Sequence, residues 1–193
     1  MSQSQKKIKV CCFCERWETG GIEAFLYNIL THMNLSNLEV DIVVFQLENG
    51  VFTDHLKSYG INFYQLSGKL RSPKNGRAFW NLLKKRNYDV VYLNVFQGLS
   101  FYYGYLAQKA NVPIRIAHSH GTGLRNTPGK KLKMGLHQLG KILWSSSITD
   151  FWACSHCAAE FLFPKGQAYQ WIPDGIETER FRFQLTDRMN IRN

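Results

Sequence analysis

The chain has 193 residues, 45% hydrophobic and 14% aromatic, enough to bury one full-sized core and too apolar for a disordered polymer. It holds no apolar run of about 18 residues and no long apolar segment after "MSQSQKKIKVCC", so neither a membrane span nor a secretion signal is expected and the cytoplasm is the expected compartment. The formal charge of +10 calls for an anionic partner, whether phosphate groups, nucleic acid or an acidic membrane surface.

In chain order, residues 7–14 read as a buried strand and 22–33 as a helix with Ile22, Phe25, Leu26, Ile29 and Leu30 on one face. "LEVDIVVFQ" is a second strand, "FTDHLKSYGI" a short helix closed by Gly60, and "NFYQL" a third strand. A helix is expected from about Pro73 to Arg86, then the strand "DVVYLNV", the helix "LSFYYGYLAQKA" and the strand "VPIRIAHSH". A long helix over Pro128–Ser147 precedes "ITDFWACS", a short helix from His156, the strand "AYQWIP", the turn "PDGIETERF" and a helical tail "LTDRMNIRN". Strands that alternate with helices and read as apolar runs predict an α/β fold: a Rossmann-like parallel sheet with helices on both faces. Such sheets bind ligands beyond the carboxyl ends of their strands, where strand order reverses. The loops to watch are therefore 15–21, 94–98, 118–127, 154–156 and 173–177.

Five cysteines form two C-x-x-C spacings, Cys11/Cys14 and Cys154/Cys157. On a strand, positions i and i+3 face opposite sides, so Cys11 and Cys14 do not converge on one metal. They are expected to be buried, reduced, small hydrophobes, and no metal is expected.

Gly20 and Gly21, in "TGGIEAFLYNIL", follow the first strand and open the first helix. Bare backbone there would let N–H groups face a phosphate or sugar oxygen; the alternative is a turn needing a positive φ. The three-glycine dinucleotide fingerprint is absent, which argues against a nicotinamide or flavin cofactor.

His118 and His120 end the fifth strand on one face, where an imidazole could orient a substrate hydroxyl, take its proton or hydrogen-bond the reacting group. Histidines satisfied by backbone carbonyls are the alternative, and a His-x-His metal site lacks a carboxylate neighbour in the sequence. Asn94 is either a contact to a ligand hydroxyl or an Asx turn. Ser155 is first an N-cap, and Asp174, between Pro173 and Gly175, is foremost a turn.

Charge concentrates in residues 69–86 (Lys69, Arg71, Lys74, Arg77, Lys84, Lys85, Arg86) and 125–141 (Arg125, Lys130, Lys131, Lys133, Lys141), with no acid in either. Leu132, Leu136, Leu139 and Leu143 give the second stretch an apolar helical stripe. That stripe packs on its own core, or it docks with its lysines on anionic lipid. No nucleic-acid-binding signature accompanies the charge, so no specific nucleic acid is expected as partner.

Together, "TGGIEAFLYNIL", "DVVYLNVFQG", "PIRIAHSHGTG", "FWACSHCAAEFL" and "WIPDGIETERFRF" resemble, in order and spacing, the N-terminal half of a GT-B glycosyltransferase of family 4 (group 1), near the bacterial capsular and exopolysaccharide type. The resemblance implies an acceptor-side domain over residues 1–183, the start of an interdomain linker over 184–193, and a donor-binding domain outside this chain. It implies a nucleotide-sugar donor as substrate, a saccharide acceptor, no metal or other cofactor, and peripheral attachment where acceptors are lipid-linked. It makes Gly20 and Gly21 the loop approached by donor diphosphate and acceptor, and His120, followed by Gly121, the sugar contact. Retaining transfer is an implication of the resemblance alone and assigns His120 no definite role as base. Relatives carry histidine where Asn94 stands, serine at Ser155, and asparagine where Asp174 stands. Glu15 and Glu23 match the family's glutamate-pair spacing but flank the glycine loop, so that match is read as chance. The expected function is the acceptor-binding half of a sugar transferase for surface polysaccharide, inactive on its own; the alternative is a non-catalytic module docking on a membrane or partner.

Overall fold

The computed structural model describes residues 6–48, 51–67, 72–124, 129–176, 178, 182 and 183. The expected linker start and helical tail, together with Lys69, Arg71, Arg125 and Pro128, lie outside these residues.

Seven parallel strands run β1 (Ile8–Trp17), β2 (Leu38–Leu47), β3 (Asn62–Gln65), β4 (Val90–Val95), β5 (Ile114–Ser119), β6 (Asp150–Ala153) and β7 (Gln170–Trp171). Their order is β3-β2-β1-β4-β5-β6-β7, so the chain winds outward from β1 to β3 and then returns to the other side of β1. The topological switch point therefore lies between β1 and β4, whose last paired residues are Cys14 and Asn94. β1 extends to Trp17, beyond its expected end, because Arg16 and Trp17 still pair with Gln46 and Leu47 of β2.

Alternate side chains of β1 feed two cores. Cys11 and Phe13 join a cluster with Phe79, Leu83, Phe101 and Leu162. Those residues come from α3 (Lys74–Arg86), α4 (Phe101–Lys109) and α6 (His156–Leu162). Cys12 and Cys14 join the opposite cluster with Ile22, Phe25 and Leu26 of α1 (Gly21–His32) and Leu56 of α2 (Val51–Ser58). Burying each such Leu or Phe is worth roughly 1.5–3 kcal/mol, which fixes the helices to their faces. Cys11 and Cys14 thus sit on opposite sides of the sheet, and burial raises the pKa of both thiols.

The long helix α5 (Lys130–Trp144) is unlike the others, with only His137 and Gly140 buried. A Cβ on Gly140 would stand 2.4 Å from the Gly98 carbonyl carbon, so α5 packs backbone to backbone on the loop after β4. His137 accepts from the Gly98 N–H at Nδ1 (3.0 Å) and bonds the Phe161 carbonyl through Nε2 (3.0 Å). The leucine stripe of α5 stays largely in solvent, from Leu136 at 38% exposed to Leu132 at 70%, and Ile142 beside it is 78% exposed. The stripe is therefore only partly covered by the chain's own core.

Candidate functional site

At the switch point a crevice of about 640 Å³ opens between the loops after β1, β4 and β5. Glu15, Gly20, Gly21, Phe96, Gly121 and Lys133 are among the residues that line it. Gly20 is the N-cap of α1 and is extended, with φ −139° and ψ −177°. Neither glycine of the pair has a positive φ, so conformational need does not explain them. Close approach accounts for Gly20 alone: a Cβ there would meet Glu23 Oε2 at 2.6 Å, whereas a Cβ on Gly21 would meet nothing within 4 Å. The Glu23 carboxylate is folded back over the positive end of α1 and accepts from the Glu18 N–H at 3.4 Å. Its pKa is raised by burial, with backbone hydrogen bonds opposing the rise. Gly20 is thus bare for the chain's own carboxylate, and Gly21 is bare toward the crevice.

Glu15 lies one residue past the last β1–β4 pair, where the two strands part. Its Oε1 accepts from Gln97 Nε2 (3.2 Å), which lines the crevice, and from Ser100 Oγ (2.8 Å), which lines the neighbouring groove. No cation pairs with it among the described residues. Glu15, Gln97 and Lys133 also line a second groove of about 740 Å³ walled by Tyr102, Tyr103 and Trp144. Opening onto this groove are Leu132 and Leu136 of α5, so the exposed stripe and the crevice share one continuous surface. A cleft of about 790 Å³ between α5 and α6 lies away from the switch point and collects none of the loops after β1, β4 or β5.

The histidines part company. His118 is fully buried against Phe25, Tyr92 and Trp152, its Nδ1 2.5 Å from the Tyr92 hydroxyl. Burial pushes its pKa down to about 4, partly offset by the Ile172 backbone carbonyl, although Nε2 makes no hydrogen bond of good geometry. An interior imidazole does not reach a substrate, so the expected catalytic place of His118 is corrected to a packing one. His120 stacks beside it, with ring centroids 4.0 Å apart, and its side chain keeps a small exposed edge. Burial, and next the neighbouring His118, push the His120 pKa down to about 3, so the ring is neutral at neutral pH. Its Nε2 is 3.0 Å from Asn94 Oδ1, and its Nδ1 is 3.7 Å from Asp174 Oδ1.

Asn94 is buried and spent on His120, so it orients the imidazole instead of lining the crevice. Ser155 is the N-cap of α6, its Oγ accepting from the Ala158 N–H at 3.2 Å. Asp174 is more than a turn residue, because it supplies the carboxylate neighbour that the sequence did not show beside His120. The cations divide as well. Lys130 and Lys131 are exposed and Lys133 half-buried at the start of α5, near the crevice. Lys84 and Lys85 end α3, at the opposite end of the sheet where the strands begin. Arg86, expected to face an anion, is drawn into Asp41 (2.7 Å) and also pairs with Glu39.

Sequence reasoning missed Glu15, Glu23, Phe96 and Gln97. The one available signal was the seven-residue gap between the two glutamates, which reflects their positions on either side of one glycine loop.

Residues 19–180 match the sequence profile of Glycosyltransferase Family 4. The chain belongs to that family. This family 4 chain is 24% identical to the Bacillus subtilis (strain 168) glycosyltransferase EpsF, over 94% of its own length and 48% of the relative's. Its fold matches Anabaena HepE, crystallised with UDP and glucose, at a TM-score of 0.69, with 14% identity over 96% of this chain and 49% of HepE. It also matches a glycosyltransferase from Rickettsia africae ESF-5 at 0.65, with 13% identity over 96% of this chain and 48% of the other. The family 4 chain thus spans about half the length of the relatives it matches, and its sheet is the Rossmann-like sheet of GT-B glycosyltransferases.

Proposed function

We propose that this chain is the acceptor side of a glycosyltransferase that moves a sugar from a nucleotide-sugar donor to a lipid-linked surface saccharide at an anionic membrane. Residues 1–183 would hold the acceptor, residues 184–193 would begin the linker, and most of the donor would be held by a further domain. The observation that carries the reading is the sharing of Glu15, Gln97 and Lys133 by the crevice and the groove under α5. An amphiphile laid along that surface would have its apolar chain on Leu132, Leu136 and Trp144. Its charged junction would lie by Lys133, and its sugar between Glu15, Phe96 and Gly21.

Three carboxylates, Glu15, Glu18 and Glu23, line the crevice and favour sugar hydroxyls over a bare diphosphate there. His120, neutral and held by Asn94, is suited to bond a sugar hydroxyl without contributing charge. No metal is assigned to this chemistry.

Vesicle sedimentation tests the membrane part. Phosphatidylglycerol vesicles should pellet the chain, phosphatidylcholine vesicles much less, and added salt should weaken binding, since each lysine near an anionic surface adds about 1 kcal/mol. Replacing Lys130, Lys131 and Lys133 by Glu should abolish pelleting, and Leu139→Ser with Ile142→Ser should reduce it. Equal pelleting by both lipids, or none at low salt, would refute docking. Docking without catalysis is the second reading, favoured by the same α5 face, and sugar transfer separates the two.

A further inference from the structure

His120 follows β5, Cys154 follows β6 and Asp174 follows β7, three strand ends side by side in the sheet. One donor atom from each lies within 4.8 Å of the other two. Nε2 of His120 faces the Asn94 amide oxygen, which leaves Nδ1 turned to Asp174 Oδ1 at 3.7 Å. That separation is too long for a hydrogen bond. It is close to the edge, roughly 3.4 Å, of a tetrahedron built on zinc–nitrogen and zinc–oxygen distances of about 2.0–2.2 Å. An amide oxygen behind the imidazole is also the outer-shell contact that fixes a metal-binding tautomer.

The surroundings make this corner firm. The Ile172 N–H donates to the Ala153 carbonyl (3.0 Å), Trp171 Nε1 to the Cys154 carbonyl (3.0 Å), and Asn28 Nδ2 to the Gly175 carbonyl (3.2 Å). Asp174 is 56% exposed and gives an ion a route in. Burial raises the pKa of Asp174, and burial and then Asp174 raise that of Cys154. Cys11, Cys12 and Cys14 are buried in the sheet and do not compete.

We propose that His120, Cys154 and Asp174 form a binding site for one thiophilic divalent cation, zinc fitting best, with a water completing the tetrahedron. A thiolate and an imidazole exclude magnesium and calcium as natural occupants. Binding releases the Cys154 proton to solvent, so affinity rises with pH. The site stands on geometry alone. Only its consequence rests on the proposed function: an ion on His120 Nδ1 removes the atom offered to a sugar, and zinc inhibits transfer.

The test is titration of the reduced, untagged, chelator-stripped chain with Co²⁺ alone, followed by displacement with Zn²⁺. One equivalent should bind, with a thiolate-to-cobalt charge-transfer band and the d–d bands of a tetrahedral ion. Cys154→Ser should abolish the charge-transfer band, and Asp174→Asn should weaken binding at least about tenfold. Cys157→Ser, an exposed neighbour on α6, should leave the spectrum unchanged. Circular dichroism without metal confirms that each variant folds. No saturable cobalt binding, no thiolate band, a band that survives Cys154→Ser, or one that Cys157→Ser removes would overturn the proposal.

Discussion

At Arg86 the guanidinium leaves the end of α3 and reaches Asp41, which is fully buried and also takes bonds from the Tyr88 hydroxyl (2.6 Å) and Asn62 Nδ2 (2.9 Å). The hydrogen bond to Asp41 raises the Arg86 pKa, burial opposes it, and the bond to Glu39 adds to the rise. Removing one partner of a buried pair strands the other charge, so Arg86→Ala should cost about 3–5 kcal/mol in urea unfolding. Lys84→Ala and Lys85→Ala should each stay within about 0.5 kcal/mol. An Arg86 variant as stable as the lysine variants would contradict the network. This residue also shows a limit of linear reading. "KKR" is three like charges in the sequence, and only the pairing of α3 with the start of β2 tells the third from the first two. Asn94 and Asp174 follow the same pattern: their residue types were legible as polar strand-end groups, whereas their meeting at His120 depends on β4, β5 and β7 terminating at one end of the sheet, with β6 between the last two.

Among the elements, the strands and helices of the sheet were readable because apolar runs and 3.6-residue stripes report burial directly. The fate of the α5 stripe was not readable, since an exposed amphipathic face and a packed one share the same spacing. His137 decides how α5 is held. As a neutral imidazole, it takes the Gly98 N–H on Nδ1 and donates from Nε2 to Phe161. Burial lowers its pKa below the model-peptide value of 6.5; the Phe161 carbonyl opposes this, and the nearby Lys141 adds to it. A histidine whose folded pKa is lowered binds fewer protons folded than unfolded, so its stabilising effect is complete above about 6.5 and is lost as pH falls below that value. The melting temperature should therefore fall as the pH drops from neutral toward 5, and His137→Gln should remove part of that slope, the remainder coming from His118 and His120, while lowering stability at neutral pH. An unchanged slope in the variant would show that α5 is not held through this imidazole.

For the molecule as a whole, a sheet that reverses direction between β1 and β4 makes a crevice whatever its side chains are. The side chains then set what the crevice accepts. The three carboxylates, the bare Gly21 and the neutral His120 suit hydroxyl groups, and the leucine face of α5 suits the lipid that would carry them. Family membership was legible from five loose motifs in register, because each of them closes a strand at the same end of the sheet. Glu15 was visible only through its spacing from Glu23 and was read as a chance match, because a glutamate after an apolar strand does not show that it faces a crevice. The most direct measurement is transfer of radiolabel from a panel of nucleotide sugars into lipid extracted from bacterial membranes, by protein that contains this chain unaltered. Transfer should occur with at least one donor. It should fall about a hundredfold or more in His120→Ala and in Gly20→Val, with vesicle binding unchanged. Undiminished transfer by both variants would contradict the site, and vesicle binding with no transfer from any donor would contradict the enzyme.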